Sequence, residues 1–316
     1  MKLIRIVLGA LSLLSFPIIA SAQQEGSLPI LHLATDTRLS SMGNASIGEA
    51  DGGYIYTNPT SLLTQHTRVD VSMGTRVFGK DINGYNLYFF NGSAGIRLGR
   101  HALFVGGRHW RGPKVPRVNN EGIEGKSIPL NEATLDLGYA FRLNRHLSAY
   151  TSGSYVFSYI GKKAQTAVFN VGLYYRGKGS VKSHEVEYMI GSRLTNFGPQ
   201  FRYGKGGRKI NVPASWDMGA ELSKQLSAEY KCSLLAGFRY NFLPIRAKSF
   251  GGYVGGEVDY KDMLKGSLGC SVMKGYPMVV SAGLSGKLSL IRLGVVYQHV
   301  ALSALSNVSG TLSLSF

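Results

Sequence analysis

Charge is scarce in this chain, and acidic charge most of all. Charged residues make up 17% of the 316, below the roughly 25% of an ordinary soluble domain. Asp and Glu number 18 against 35 Lys and Arg, a formal net charge of +17. Cysteine is nearly absent: Cys232 and Cys270 are the only two. That excludes a disulfide scaffold and leaves one structural disulfide as an option the fold does not need. Past residue 22 no run of about 18 apolar residues occurs, so no spanning helix is encoded. Gly and β-formers outweigh Ala, Glu and Leu, which argues against a coiled coil or helical array. Gly is abundant, at 41 of 316 residues, nearly twice the usual ~7%. Tyr and Phe follow at 18 and 14, within a hydrophobic content of 44%. That content excludes a disordered chain and points to a large β-structure in unusual surroundings.

Catalytic constellations are missing too. None of the seven His falls in an H-E-x-x-H or H-x-H arrangement. The Gly153-Ser154 step lacks the frame of a nucleophile elbow. Two distant Cys make no zinc site. The stretch Gly204 to Lys209 is Gly-rich and basic but lacks the P-loop frame. The expectation is a protein that is not an enzyme and holds no metal and no cofactor.

Residues 1–22 read as a secretory signal peptide. Lys2 and Arg5 supply the positive start, Ile6 to Ala20 the apolar run, and Ala20-Ser21-Ala22 a small-residue cleavage site. The mature chain then begins near Gln23 with a charge of +15, since Lys2 and Arg5 leave and no acid does. No Cys follows the site, which argues against a lipid anchor. An exported chain without a spanning helix is periplasmic, secreted, or an outer-membrane barrel.

From about residue 67 the pattern is period 2, the mark of strands with two different environments. Val69, Val71, Met73 and Val77 alternate with Arg68, Asp70, Ser72 and Arg76. Leu135, Leu137, Tyr139 and Phe141 alternate with Thr134, Asp136, Gly138 and Ala140. Ile291, Leu293, Val295 and Tyr297 alternate with Leu290, Arg292 and Gly294. Fourteen strands are expected, near 67–78, 82–98, 101–111, 130–143, 147–160, 165–176, 183–195, 215–224, 227–241, 250–261, 263–273, 277–287, 289–299 and 307–316. Tight turns are expected at Gly99-Arg100, Asn144-Arg145, Lys224-Gln225, Lys261-Asp262 and Gly286-Lys287. Longer loops fall at 112–129, 196–214, 242–249 and 300–306, and 177–182 is longer than a tight turn. Short turns on one side and long loops on the other is the layout of an outer-membrane barrel with both termini periplasmic. Tyr150, Tyr159, Tyr175, Tyr203, Tyr240 and Tyr276 lie near strand ends and are candidates for interfacial girdles. The rival is a soluble β-sandwich, which would carry more surface Lys and Glu. Val308, Gly310, Leu312, Leu314 and Phe316 alternate with small polar residues to the last position. A last strand ending in Phe resembles the assembly signal of bacterial outer-membrane barrels.

Residues 27–66 lack that alternation and read as a luminal plug. Gly43, Gly48, Gly52 and Gly53 permit turns and close backbone approach. Asn58-Pro59 fixes a turn. Asp36 and Arg38 are candidates to pair inside a lumen. The run T-D-T-R-L-S-S-M-G-N-A, then E-A-D-G-G-Y-I-Y-T-N-P-T-S-L, resembles the start of the PorV/PorQ family, within the FadL-like outer-membrane proteins. Asp36, Arg38, Met42, Gly43, Asp51, Asn58 and Pro59 carry the likeness. In R-L-T-N-F-G-P-Q-F-R-Y, Asn196, Gly198 and Pro199 match a second family segment. Thr60 stands where the family usually has Ala, and the chain is shorter than many relatives, which implies trimmed loops.

The resemblance implies a Gram-negative, Bacteroidota-type outer-membrane protein. Its implied role is as an accessory or docking barrel of type IX protein secretion, with secretion-system proteins and exported cargo as partners. The alternative is a FadL-like channel that takes up a hydrophobic small molecule. The segment 176–184, read as periplasmic, is basic, with Arg176, Lys178 and Lys182, but the basic surplus falls largely in the loops read as extracellular. Arg108, Arg111, Lys114 and Arg117 flank one, Arg202, Lys205, Arg208 and Lys209 another, and Arg246 and Lys248 a third. Of these, Arg111, Lys114, Arg117, Lys205, Arg208 and Lys209 are the candidate contacts for lipopolysaccharide phosphates or a partner. Nucleic acid is not an expected partner.

Overall fold

The computed structural model describes residues 28–80, 86–118, 124–181, 184–245, 248–301 and 306–316. The expected signal peptide lies outside the described residues. The strands are β1 (Val69–Lys80), β2 (Asn86–Leu98), β3 (His101–Val118), β4 (Glu124–Arg142) and β5 (Leu147–Tyr159). Then come β6 (Lys163–Val181), β7 (His184–Phe197), β8 (Ser215–Gln225), β9 (Tyr230–Asn241) and β10 (Ser249–Tyr260). β11 (Leu264–Met273), β12 (Val279–Leu288), β13 (Ile291–Val300) and β14 (Asn307–Ser315) complete the set. Each pairs antiparallel with its neighbours in the chain. β14 returns to β1, from Asp70↔Ser315 to Phe78↔Asn307, and closes the barrel. Closure removes both sheet edges, and it rules out the sandwich.

The period-2 pattern separates outside from inside. Met73, Leu135, Leu137, Leu268, Leu284 and Leu293 stand more than half exposed on the outer wall. Their inward neighbours Ser72, Thr134, Asp136 and Ser267 are buried. An apolar belt all round a closed barrel, over a polar interior, inverts a soluble protein and fits a hydrocarbon solvent. Cys232 and Cys270 are unpaired thiols. Their cross-strand neighbours Val258, Val254 and Val280 are exposed on the outer wall. Tyr159 and Tyr175 are 40% exposed and sit on that wall too, but Tyr150 is 6% exposed. Tyr150 falls on the inward phase of β5, and Tyr203 turns its hydroxyl to Ser158. Neither belongs to a girdle.

Four connections differ from the sequence expectation. Most of the segment 112–129 is strand: β3 runs on to Val118 and β4 starts at Glu124, paired Lys114↔Pro129 and Val115↔Ile128, with 119–123 outside the described residues. Pro113 and Pro116 look like strand breakers, yet register shifts between Arg111 and Lys114 and between Val115 and Arg117 take them up. Bulges tolerate a residue with no N–H. β6 and β7 stay paired to Val181↔His184, so 177–181 is strand; Gly177 and Gly179 had hidden it. The turn expected at Gly286-Lys287 lies at Ser289–Leu290, because Gly286 and Lys287 pair with Leu293 and Arg292. The turn expected at Lys224-Gln225 follows Gln225, which pairs with Lys231.

Residues 28–66 run inside the barrel. They hold a 3-10 turn at Pro29–Leu31, a one-turn helix α1 (Thr37–Ser41), and 3-10 turns at Tyr54–Tyr56 and Pro59–Leu63. Glycines on the inward faces of β10–β13 bring α1 against the wall. A Cβ at Gly283 would lie 2.5 Å from the Cβ of Ser41, and Gly255, Gly269 and Gly294 face Met42, Gly43 and Thr37 as closely. Larger residues there would hold the segment off the sheet.

Candidate functional site

The site is the lumen and the segment that occupies it. Asp36 begins α1: its Oδ1 accepts the Leu39 N–H at 2.7 Å, the usual N-cap geometry. Its Oδ2 accepts the Asp51 N–H at 3.3 Å. Burial pushes this carboxyl up to about 6, against the bond from Leu39. The expected Asp36–Arg38 pair does not form. Arg38 points instead to the wall, with Nη2 2.7 Å from Glu221 and Nε 2.9 Å from Glu257. Burial works against its charge, but these two carboxylates hold the guanidinium above its ordinary range. Asp36 is occupied with two backbone amides, which leaves Arg38 to carboxylates presented by β8 and β10.

Three further ion pairs tie the segment to the barrel. Asp51 lies 2.9 Å from Lys265 and 2.6 Å from Arg292. Glu49 pairs with Arg176, whose Nη2 also donates to the Thr60 hydroxyl at 3.0 Å. Burial alone would raise both acids. The facing cations outweigh it and hold both below the usual carboxylate range. Thr60, where the resembled family has Ala, thus supplies a hydroxyl to this latch. Asn58 accepts from the Thr60 N–H and hydroxyl and donates to the Gly48 carbonyl at 2.9 Å. Pro59 opens the 3-10 turn that Asn58 caps. Met42 is fully buried. Gly43 has φ +80° and donates its N–H to Ser281.

The second motif sits where β7 ends. Asn196 takes φ +57° at a register shift between Phe169 and Val171 of β6. Its N–H donates to Asn170 at 2.7 Å. Gly198 passes against the backbone of Ala167, and Thr166 donates to the Pro199 carbonyl. The chain then turns inward: Phe201 and Val212 are buried with Leu28, Ile30, Phe89 and Trp110. This apolar cluster holds the segment 196–214 against β2, β3, β5 and β6 on the long-loop side, so the segment is a cover as much as an exposed loop.

Of the basic residues read as one outer surface, Lys205, Arg208 and Lys209 are exposed on that cover. Arg111 is exposed and donates to the Tyr88 hydroxyl at 2.9 Å, and Lys114 is half-buried. The Arg117 side chain and Arg246 lie outside what is described. Arg108 does not belong with them: it is inside, 3.0 Å from Asp136, on the inward phase of β3.

Two cavities flank the segment. One of about 1250 Å3 opens on the short-turn side and is lined by the ion pairs of Arg38, Asp51 and Glu49. One of about 120 Å3 lies toward the long-loop side, lined by Arg108, Asp136, Arg193, Arg239 and His32. Burial, then Arg239, lowers His32 to about 4. The wall charges Glu221, Glu257 and Lys265 escaped the sequence reading, in which Arg176 figures only as a basic periplasmic residue and Arg292 only on one face of a strand. A signal existed: in β8, Asp217, Gly219 and Glu221 alternate with Trp216, Met218 and Leu222, which marks charge aimed inward.

No protein-family model and no curated protein matches the chain. Solved structures do. The P. putida toluene transporter TodX is 11% identical at a TM-score of 0.61, over 91% of this chain and 99% of TodX. The Ralstonia pickettii toluene transporter TbuX is 10% identical at 0.59, over 89% and 97%. A Pseudomonas aeruginosa FadL homologue is 8% identical at 0.50, over 90% and 98%. At such identities the likeness establishes the fold: a closed fourteen-strand antiparallel barrel of the kind these transporters have. By their descriptions TodX and TbuX are toluene transporters and the third is a FadL homologue.

Proposed function

We propose that the chain is an outer-membrane barrel, plugged by residues 28–66, that admits a small hydrophobic molecule. The observation that carries this is an N-terminal segment latched inside a closed fourteen-strand barrel. The likeness of that fold to toluene transporters supports a channel better than a secretion role. The apolar belt supports the membrane setting. Passage requires the plug to shift, because it meets the wall through β10–β13 and its first residues, Leu28 to Leu31, pack into the Phe201 cluster. The test is uptake of radiolabelled toluene into cells bearing the protein or the N58A variant. A channel predicts uptake above barrel-free cells that changes in the variant. Uptake equal to barrel-free cells refutes it.

A docking barrel of type IX secretion is the second reading. It is favoured by the chemistry of the lumen, since both cavities are lined by charged and polar groups that suit a hydrophobic passenger poorly. On this reading Arg111, Lys205, Arg208 and Lys209 face lipopolysaccharide or a protein partner. Reversing Lys205, Arg208 and Lys209 to Glu leaves the buried side of the cover intact. Loss of co-purifying secretion proteins in that variant supports docking, and an unchanged set refutes it.

A further inference from the structure

The smaller cavity carries a charge that the protein does not balance. Arg108, Arg193 and Arg239 line it, and two carboxylates answer them. Arg108 is paired with Asp136. Arg193 and Arg239 divide one carboxylate: Asp217 Oδ2 lies 2.9 Å from Arg193 Nε, and Oδ1 lies 2.7 Å from Arg239 Nε. The Asp217 side chain is fully buried, so both of its oxygens are engaged and no third acid helps. His32, neutral at pH 7 because burial and Arg239 depress it, adds no charge of either sign. Counting the groups that line or back the cavity, one positive charge remains over.

That charge is also the one with donors to spare. Arg239 commits its Nε to Asp217. Its terminal nitrogens bond no described residue, and its side chain keeps 22% exposure. Arg193, by contrast, also donates to the Thr57 carbonyl at 2.9 Å. A guanidinium fork matches a planar or tetrahedral oxyanion, and in a secluded site that attraction is screened less than in water. The cavity is about 120 Å3, roughly four waters at ~30 Å3 each. That is room for an anion of four or five heavy atoms and too little for a long chain.

We propose that this cavity binds one small oxyanion, of the size of sulfate, phosphate or acetate, on the terminal nitrogens of Arg239. The proposal stands apart from either function, because it rests only on the arginines and carboxylates of this cavity. It ties the cover side of the lumen to the composition of the medium.

The test is calorimetric titration of the full chain in detergent, at an ionic strength held with chloride. The probes are sodium sulfate, sodium acetate and sodium octanoate. The expected result is saturable sulfate or acetate binding, weakened at least tenfold in R239Q and unchanged in R202Q, an exposed Arg on the cover. No saturable sulfate or acetate binding overturns the proposal, and so does R239Q binding within twofold of the parent. Octanoate binding alone overturns it in favour of an amphiphile headgroup. Should R239Q not form a barrel, crystals of the parent soaked in selenate decide. An anomalous peak against Arg239 supports the site, and an empty cavity overturns it.

Discussion

Replacing Arg38 with Met keeps the length of the side chain and removes its charge. Glu221 and Glu257, on strands separated only by β9, are then left close together, each 4% exposed and without the guanidinium that now touches both. The bond to the Glu49 carbonyl at 2.6 Å is lost as well. Removing one member of a buried ion pair costs about 3–5 kcal/mol. The barrel keeps its own ladders, so the cost falls on the seating of residues 36–51. At about 1.4 kcal/mol per decade, amide-exchange protection at Leu39, Met42 and Ala45 is expected to fall by roughly two to four decades. The assay is hydrogen exchange by mass spectrometry on the protein in detergent, with heat-dependent gel mobility reporting that the barrel is intact. The triple variant R38M/E221Q/E257Q removes the stranded charges and is expected to recover most of the protection. Protection in R38M within about threefold of the parent, on an intact barrel, refutes the latch. So does a triple variant no better than R38M.

Two groups within residues 28–66 push the acid response of the plug in opposite directions. His32, lowered to about 4 from 6.5, stays neutral when folded, so its stabilising share is present above pH 6.5 and is lost as pH falls toward 4. Asp36, raised to about 6 from 3.8, works the other way: its share is present below pH 3.8 and is lost as pH rises through 6. Relative to the parent, the H32Q variant is therefore expected to gain plug protection on acidification from pH 6.5 to 4 and the D36N variant to lose it; equal slopes in all three would dismiss the assignment. Gly43→Ala places a Cβ 2.5 Å from the Cys270 carbonyl oxygen at φ +80°, and strain of about 1–3 kcal/mol plus the clash should unseat α1, visible as lost exchange protection confined to residues 37–45. Leu137→Arg puts a cation at an outward site now 62% exposed. A folding cost of about 2–4 kcal/mol in urea refolding into bilayers is expected, and a cost under about 0.5 kcal/mol would mean that Leu137 does not face lipid.

The strands were legible because a barrel wall has two solvents. Thr134, Asp136 and Gly138 against Leu135, Leu137 and Tyr139 is a local fact, readable from eight residues at a time. So were Asn58-Pro59 and the conformationally free Gly43. The irregular places misled for local reasons as well: prolines in β3 hid a hairpin arm, and Gly177 hid the continuation of β6. The site was less legible, because its parts meet across the chain. Arg38 and Glu257 are 219 residues apart, and Asp51 and Arg292 are 241 apart. Each side of the pair is visible as a charge among small residues, but nothing in either stretch names its partner.

By itself the sequence determined that the chain would form about fourteen two-faced strands, with a distinct segment ahead of them. Hydrophobic periodicity is written residue by residue and needs no tertiary information. Only the tertiary structure decided that Arg38 turns from Asp36 to two wall carboxylates, and that Arg108 leaves the loop surface for the lumen. The same holds for the two arginines that share Asp217. Those choices depend on barrel closure, which sets the register and hence which inward side chains come within a few ångströms. Coulomb attraction and hydrogen bonding can act only between groups that the register has already brought together.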